Sequence, residues 1–199
     1  MKFAHLLTIT AISGICLLTA CDPTPNKKDT KETTEKENDA KIEATAPTDS
    51  ASHADKKDAD WIVETASGGM LEVEAGKLAL QKAVSPEIKK FAQHLVDDHT
   101  AANNDLKKLA ESKNVTLPPD LTDKDQKVLN GLKEKSGVDF DKKFISDMLS
   151  DHKDDIDSFE KASDKANDPA IKEFAAKHLP VLMKHREMAE KIEKGIKHM

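Results

Sequence analysis

Three histidines stand where a helix should place apolar residues. In "LVDDHTAANNDL", residues 95–106, His99 follows Leu95 and Val96 by one turn and precedes Ala102 and Leu106 by one and two turns. His152 follows Met148 and Leu149 and precedes Ile156 in "MLSDHKDDI". His185 follows Val181 and Leu182 and precedes Met188, Ala189 and Ile192 in "VLMKHREMAEKI". Spacings of three and four residues put each imidazole on the apolar stripe of its helix. Imidazole titrates near neutral pH and is the commonest metal ligand. Glu72, with Glu74 as its competitor, offers a carboxylate from an earlier helix. Such nitrogen and oxygen donors suit a transition metal ion: Zn, Fe, Mn or Cu. Metal held this way should be released as pH falls through about 6, where imidazole takes a proton instead.

The same residues support a second reading. Histidines paired with Glu72 and backbone carbonyls would form a buried polar network that fixes helix register without any ion. A third is a histidine-lined pocket for an organic ligand or haem. Ferritin-like di-iron sites use Glu-x-x-His on two helices. Here Val96 precedes His99 by three and Leu182 precedes His185 by three, so ferroxidase chemistry is not expected. Asp98 sits about 100° round the helix from His99 and reads as a partner of a histidine or a surface group rather than a co-ligand. His94 and His178 fall one or two turns from the layer and read as satisfied or exposed. The acidic run "DHKDDIDS" reads as a solvated helix face; it lacks the spacing and glycine of an EF-hand loop. No glycine-rich phosphate loop and no nucleophile elbow is present, so the chain does not read as an enzyme.

Four long helices must carry these groups. The first is expected over about 58–83, with Asp58 as cap and Gly68-Gly69 marking close helix packing. Ser85-Pro86 is a cap followed by a first-turn proline and opens the second, to about Lys113. "NVTLPPDL" is a crossover loop, and a short helix follows from Thr122 to about Lys135. The third long helix spans about 138–166, with Phe144, Ile145, Met148, Leu149, Ile156 and Phe159 inward. Asp168-Pro169 opens the fourth, which contains Pro180 and ends near Ile196. Residues 85–92, "SPEIKKFA", echo 168–175, "DPAIKEFA". Two helical hairpins joined by a longer connection predict an all-α, ferritin-like four-helix bundle with a short extra helix in the crossover. Counted from the two tight turns, Glu72, His99, His152 and His185 lie within about 7 Å of one height at 1.5 Å per residue. The three imidazoles should then lie within about 10 Å of each other.

Composition frames this bundle. The chain is 34% charged, carries a net charge of −6 and has no tyrosine and few glycines. Helix is favoured over sheet. The absence of a basic patch argues against nucleic acid. Met1-Lys2 and the apolar stretch Phe3 to Leu18 form an export signal, residues 1–20, too short to span a bilayer. Leu18-Thr19-Ala20-Cys21 looks like a lipobox, in which Cys21 carries the lipid. Cys16 lies within the signal, so no thiol remains for a disulfide or a metal. Residues 21–57 read as the lipidated cysteine and a disordered tether, with a reach of about 35 Å. The bundle domain is expected over 58–199.

"ASGGMLEVEAGKLAL", "FAQHLVDDHTAANNDLKKLA", "LPPDL", "SGVDFDKKFISDMLSDH" and "DPAIKEFAAKHLPVLMKH" together resemble the bacterial domain-of-unknown-function 4142 family. The resemblance covers almost all of residues 58–192. It implies a ferritin-like helical bundle in a secreted or envelope protein, and it supplies no established activity. Glu72, Asp98, His99, His152, Pro180 and His185 fall at matching positions of the family pattern; His94 and His178 do not. Two roles are therefore expected. One is a non-catalytic, lipid-anchored protein of the cell envelope, whose bundle contacts another envelope protein or the cell wall. The other is a periplasmic module that binds a metal or small ligand through the histidine layer. Cys21 would attach either one to the inner or outer membrane.

Overall fold

The computed structural model describes residues 29–45 and 49–197. The export signal, Cys21 and the first part of the expected tether lie outside them. Six helices account for nearly all of the described chain: α1 (Thr30–Thr45), α2 (Asp49–Lys82), α3 (Pro86–Ser112), α4 (Asp123–Lys133), α5 (Gly137–Lys165) and α6 (Pro169–Lys197). Among the described residues there is no strand. No described helix is long and apolar enough to cross a membrane.

The caps explain where the helices start. Ser85 is extended and its hydroxyl accepts the N–H of Ile88, with Pro86 beside it in the first turn. Thr122 does the same for Asp125 at the start of α4. The Asp168 carboxylate accepts the N–H of Ala170 at 2.8 Å as α6 begins. Gly137 has φ +56°, a conformation that favours glycine, where α4 gives way to α5.

α2 packs along α3 and α5 along α6, each pair joined by a tight turn and hence antiparallel. Contacts between α3 and α6 and between α2 and α5 close the four-helix bundle. The crossover between the pairs carries α4, which rests on α2 and α5. This is the ferritin-like arrangement expected from the two hairpins. Asp141, buried on α5, accepts the N–H groups of Val84 and Ser85 at 3.1 and 2.8 Å and locks the first hairpin turn onto the second pair.

The six inward residues expected on α5 are all buried. The apolar core falls into two clusters. One contains Ala79, Ile88, Phe91, Leu95, Phe144 and Met148; the other contains Ile62, Leu106, Ile156, Phe159, Ile171 and Phe174. Close helix approach explains Gly69, whose hypothetical Cβ would collide with the Asn103 side chain. Gly76 is similar: a Cβ there would lie 2.8 Å from Val96 and 3.1 Å from the Ala92 carbonyl. Gly68 has open space beside it, so only one of the adjacent glycines is required by packing.

Three expectations about the N-terminal part need correction. Residues 30–45 are the helix α1 rather than a disordered tether, and α2 begins at Asp49 rather than Asp58. α1 packs on α2, but by polar contacts. Asn38, 2% exposed, donates to the Thr116 carbonyl and accepts its N–H. Lys31 pairs with Glu64, and Lys56 with Asp39. A helix held this way has no apolar stripe, so hydrophobic periodicity misses it. Asp58 is not a cap; its carboxylate accepts the N–H of Asp168 at 3.1 Å, tying α2 to the start of α6.

Candidate metal centre

Glu72, His99, His152 and His185 meet in the middle of the bundle, one each from α2, α3, α5 and α6. Each occupies the gap between the two apolar clusters: on α3, Leu95 belongs to one cluster and Leu106 to the other, with His99 between. Their residues are 1%, 5%, 0% and 0% exposed, so burial shields the layer from bulk solvent. The imidazole centroids are 5.3 to 5.5 Å apart. One ring nitrogen of each lies within 4.8 Å of a ring nitrogen of the other two. Three ligands at a tetrahedral zinc sit about 3.3 Å from each other, so each ring would need to move inward by at most about an ångström.

Each ring has one nitrogen engaged and one bare. His152 Nδ1 donates to the Met148 carbonyl at 3.0 Å. A carbonyl only accepts, so the proton is on Nδ1 and the lone pair on Nε2. His99 Nδ1 lies 2.7 Å from Glu72 Oε2, and His185 Nε2 lies 2.9 Å from Asp98 Oδ2. The opposite atoms, His99 Nε2, His152 Nε2 and His185 Nδ1, are buried with no hydrogen-bond partner among the described residues. A ring held through one nitrogen by a carboxylate or carbonyl, with the other nitrogen bare, is the usual arrangement of a metal-ligating histidine.

Burial governs the charges. It holds His99 down to about 4, against the opposing charges of Asp151 and Asp98. It does the same for His185, also to about 4, helped by His99. His152 is pushed well below the imidazole range, first by burial and then by His99 and His185. Burial also raises Glu72 well above the carboxylate range, with the charges of Asp151 and Asp125 adding to it. Both shifts favour the uncharged forms, so burial biases the close Glu72–His99 hydrogen bond away from a full ion pair. Neutral imidazoles are the form that binds metal.

The structure sorts the expected residues. Glu72, not Glu74, is the inward carboxylate; Glu74 is exposed and pairs with Lys77 at 2.8 Å. Glu72 Oε2 engages His99 Nδ1, leaving Nε2 as the bare nitrogen, so Glu72 orients the ring. Asp98 is a partner of a histidine, but of His185 on another helix. His178 is half-buried against Phe174 at 4.5 Å and lines a cavity of ≈ 300 Å³ that also reaches Glu72, His99 and Asp98. The reading of "DHKDDIDS" as solvated fails for two residues. Asp151 and Asp155 turn toward Glu72, each offering an oxygen within 4.8 Å of the others. The signal was there: Asp155 is three residues after His152 and four after Asp151, so all share one side of α5.

The family described as Domain of unknown function (DUF4142) matches residues 43–192. The chain belongs to the DUF4142 family. The match begins within α1 and ends inside α6, so it takes in all four members of the layer. No curated protein and no solved structure matches the chain. Membership in DUF4142 thus agrees with the bundle and leaves its role to be argued from the site.

Proposed function

We propose that the bundle is a metal-binding module of the bacterial cell envelope, with His99, His152 and His185 as ligands and lipid on Cys21 as its anchor. One observation carries the metal reading: three buried ring nitrogens without partners, one from each of three helices. A polar network that only fixed register would pair them, because an unpaired buried polar group costs about 1–3 kcal/mol. A shared cation satisfies all three at once. Imidazole without thiolate favours a borderline ion such as Zn2+ or Cu2+. The role is to hold or sense the ion; no reaction is assigned. The anchor reading is supported by Leu18-Thr19-Ala20-Cys21 after a short apolar run.

The test is elemental analysis of the full chain purified without nickel resin, expected to give about one transition metal ion per chain. After stripping, Zn2+ should bind the wild type, and His99→Ala, His152→Ala and His185→Ala should each bind at least roughly tenfold more weakly. Unchanged Zn2+ binding in all three variants would sink the metal reading. An alkyne fatty acid should label the wild type in cells and not Cys21→Ser; equal labelling would remove the anchor.

A further inference from the structure

The histidines are not the only groups in the bundle with unmet bonding capacity. Glu72 of α2 and Asp151 and Asp155 of α5 bring three carboxylates together, with one oxygen of each within 4.8 Å of the other two. Glu72 is 1% exposed and its Oε1 has no hydrogen-bond partner among the described residues. His152 Nδ1 lies 3.2 Å from that oxygen but gives its single proton to the Met148 carbonyl. Asp151 Oδ2 is also buried and unpartnered. Asp125 close by is different: its carboxylate accepts from the hydroxyls of Ser67 and Thr122. A cleft of ≈ 310 Å³ opens onto the aspartates, lined by Asp125, Asp151, Asp154 and Asp155 with Lys31 and Lys124.

We infer that Glu72, Asp151 and Asp155 form a second cation site, for a hard divalent ion such as Mn2+, Ca2+ or Mg2+, separate from the histidines. Its donors are all oxygen, the chemistry that selects hard ions over those preferring imidazole. Burial and mutual repulsion disfavour ionising three carboxyl groups side by side, and a divalent charge at their centre offsets both by taking the place of the retained protons. The cleft gives hydrated ions a route in and leaves room for water to complete the coordination shell. No histidine contributes a ligand, so the inference stands apart from the Zn2+ reading; Glu72 meets that site only as the partner of His99.

Mn2+ is the probe, followed by the loss of its free-ion EPR signal in the Zn2+-loaded full chain. About one Mn2+ per chain should bind, at roughly 0.1–1 mM or tighter. Asp151→Asn and Asp155→Asn, which preserve shape and remove charge, should each weaken Mn2+ binding at least about tenfold and leave Zn2+ binding unchanged. His185→Ala should do the reverse. Amide NMR signals broadened by Mn2+ should centre on Glu72 and Asp155. The inference is overturned by an absence of Mn2+ binding at 1 mM, by wild-type affinity in both asparagine variants, or by broadening centred elsewhere. Those results leave the Zn2+ reading intact, just as loss of Zn2+ binding alone leaves this one.

Discussion

Asp151→Asn should stabilise the metal-stripped protein at neutral pH. The Asp151 carboxyl is raised from 3.8 to about 6, chiefly by burial and then by the charge of Asp125. At about 1.4 kcal/mol per pH unit, keeping it ionised at pH 7 costs the folded state about 3 kcal/mol relative to the unfolded chain. A raised value means that the native chain holds this proton more tightly. The stability it contributes is therefore fully present below 3.8 and is lost as pH rises to about 6. Asparagine suffers no such loss. Asp151 is not completely buried, so a gain of about 1–3 kcal/mol at pH 7 is expected. Urea denaturation followed by circular dichroism, with chelator present, measures it at pH 7 and pH 4. Wild type and variant carry the same histidines, whose protonation largely cancels in the difference. The gain should shrink to a few tenths of a kcal/mol near pH 4. A variant that is less stable at pH 7, or a gain equal at both pH values, would refute the reasoning.

Phe144→Ala should cost about 3–5 kcal/mol in urea denaturation, because Phe144 is fully buried between Phe91 and Phe140. Asn38→Ala should leave the Thr116 N–H and carbonyl unpaired, cost about 1–3 kcal/mol and expose the α1 amides to rapid hydrogen exchange; unchanged protection of α1 would contradict its polar docking. Zn2+ should stay bound at pH 5.5 and be lost as pH nears 4, since His99 and His185 take protons only near about 4. Half-release already at pH 6 would show that the rings titrate as ordinary imidazoles.

The four long helices were legible because their apolar residues recur at helical spacing and their starts carry Ser85-Pro86 and Asp168-Pro169. The meeting of the three histidines was legible for the same reason: equal distance from a hairpin turn means equal height in the bundle. The inward aspartates shared a side of α5 with His152, but that spacing was outweighed by the solvated-face composition of "DHKDDIDS", and the neighbouring helices decide which aspartates turn inward. Glu72 and Glu74 could not be separated on a helix that is apolar on several sides. α1 was missed because one asparagine bridging a loop leaves no periodic trace. The lower pH expected for metal release also came only from the structure, since burial depends on what closes around a side chain.

The division of the core has a consequence for how the chain opens. The four layer residues lie between the two apolar clusters and belong to neither, so the metal-stripped bundle is expected to open as two units stacked end to end. In the stripped protein each half can unfold locally while the other holds. An ion shared by α3, α5 and α6 at the seam would fuse the halves into one. Native-state hydrogen exchange reads this directly: amides around Phe91 and Phe159 should exchange at two separate opening free energies without Zn2+ and at a single higher one with it. The ion would then act as a rivet, turning two breathing ends into a single rigid body.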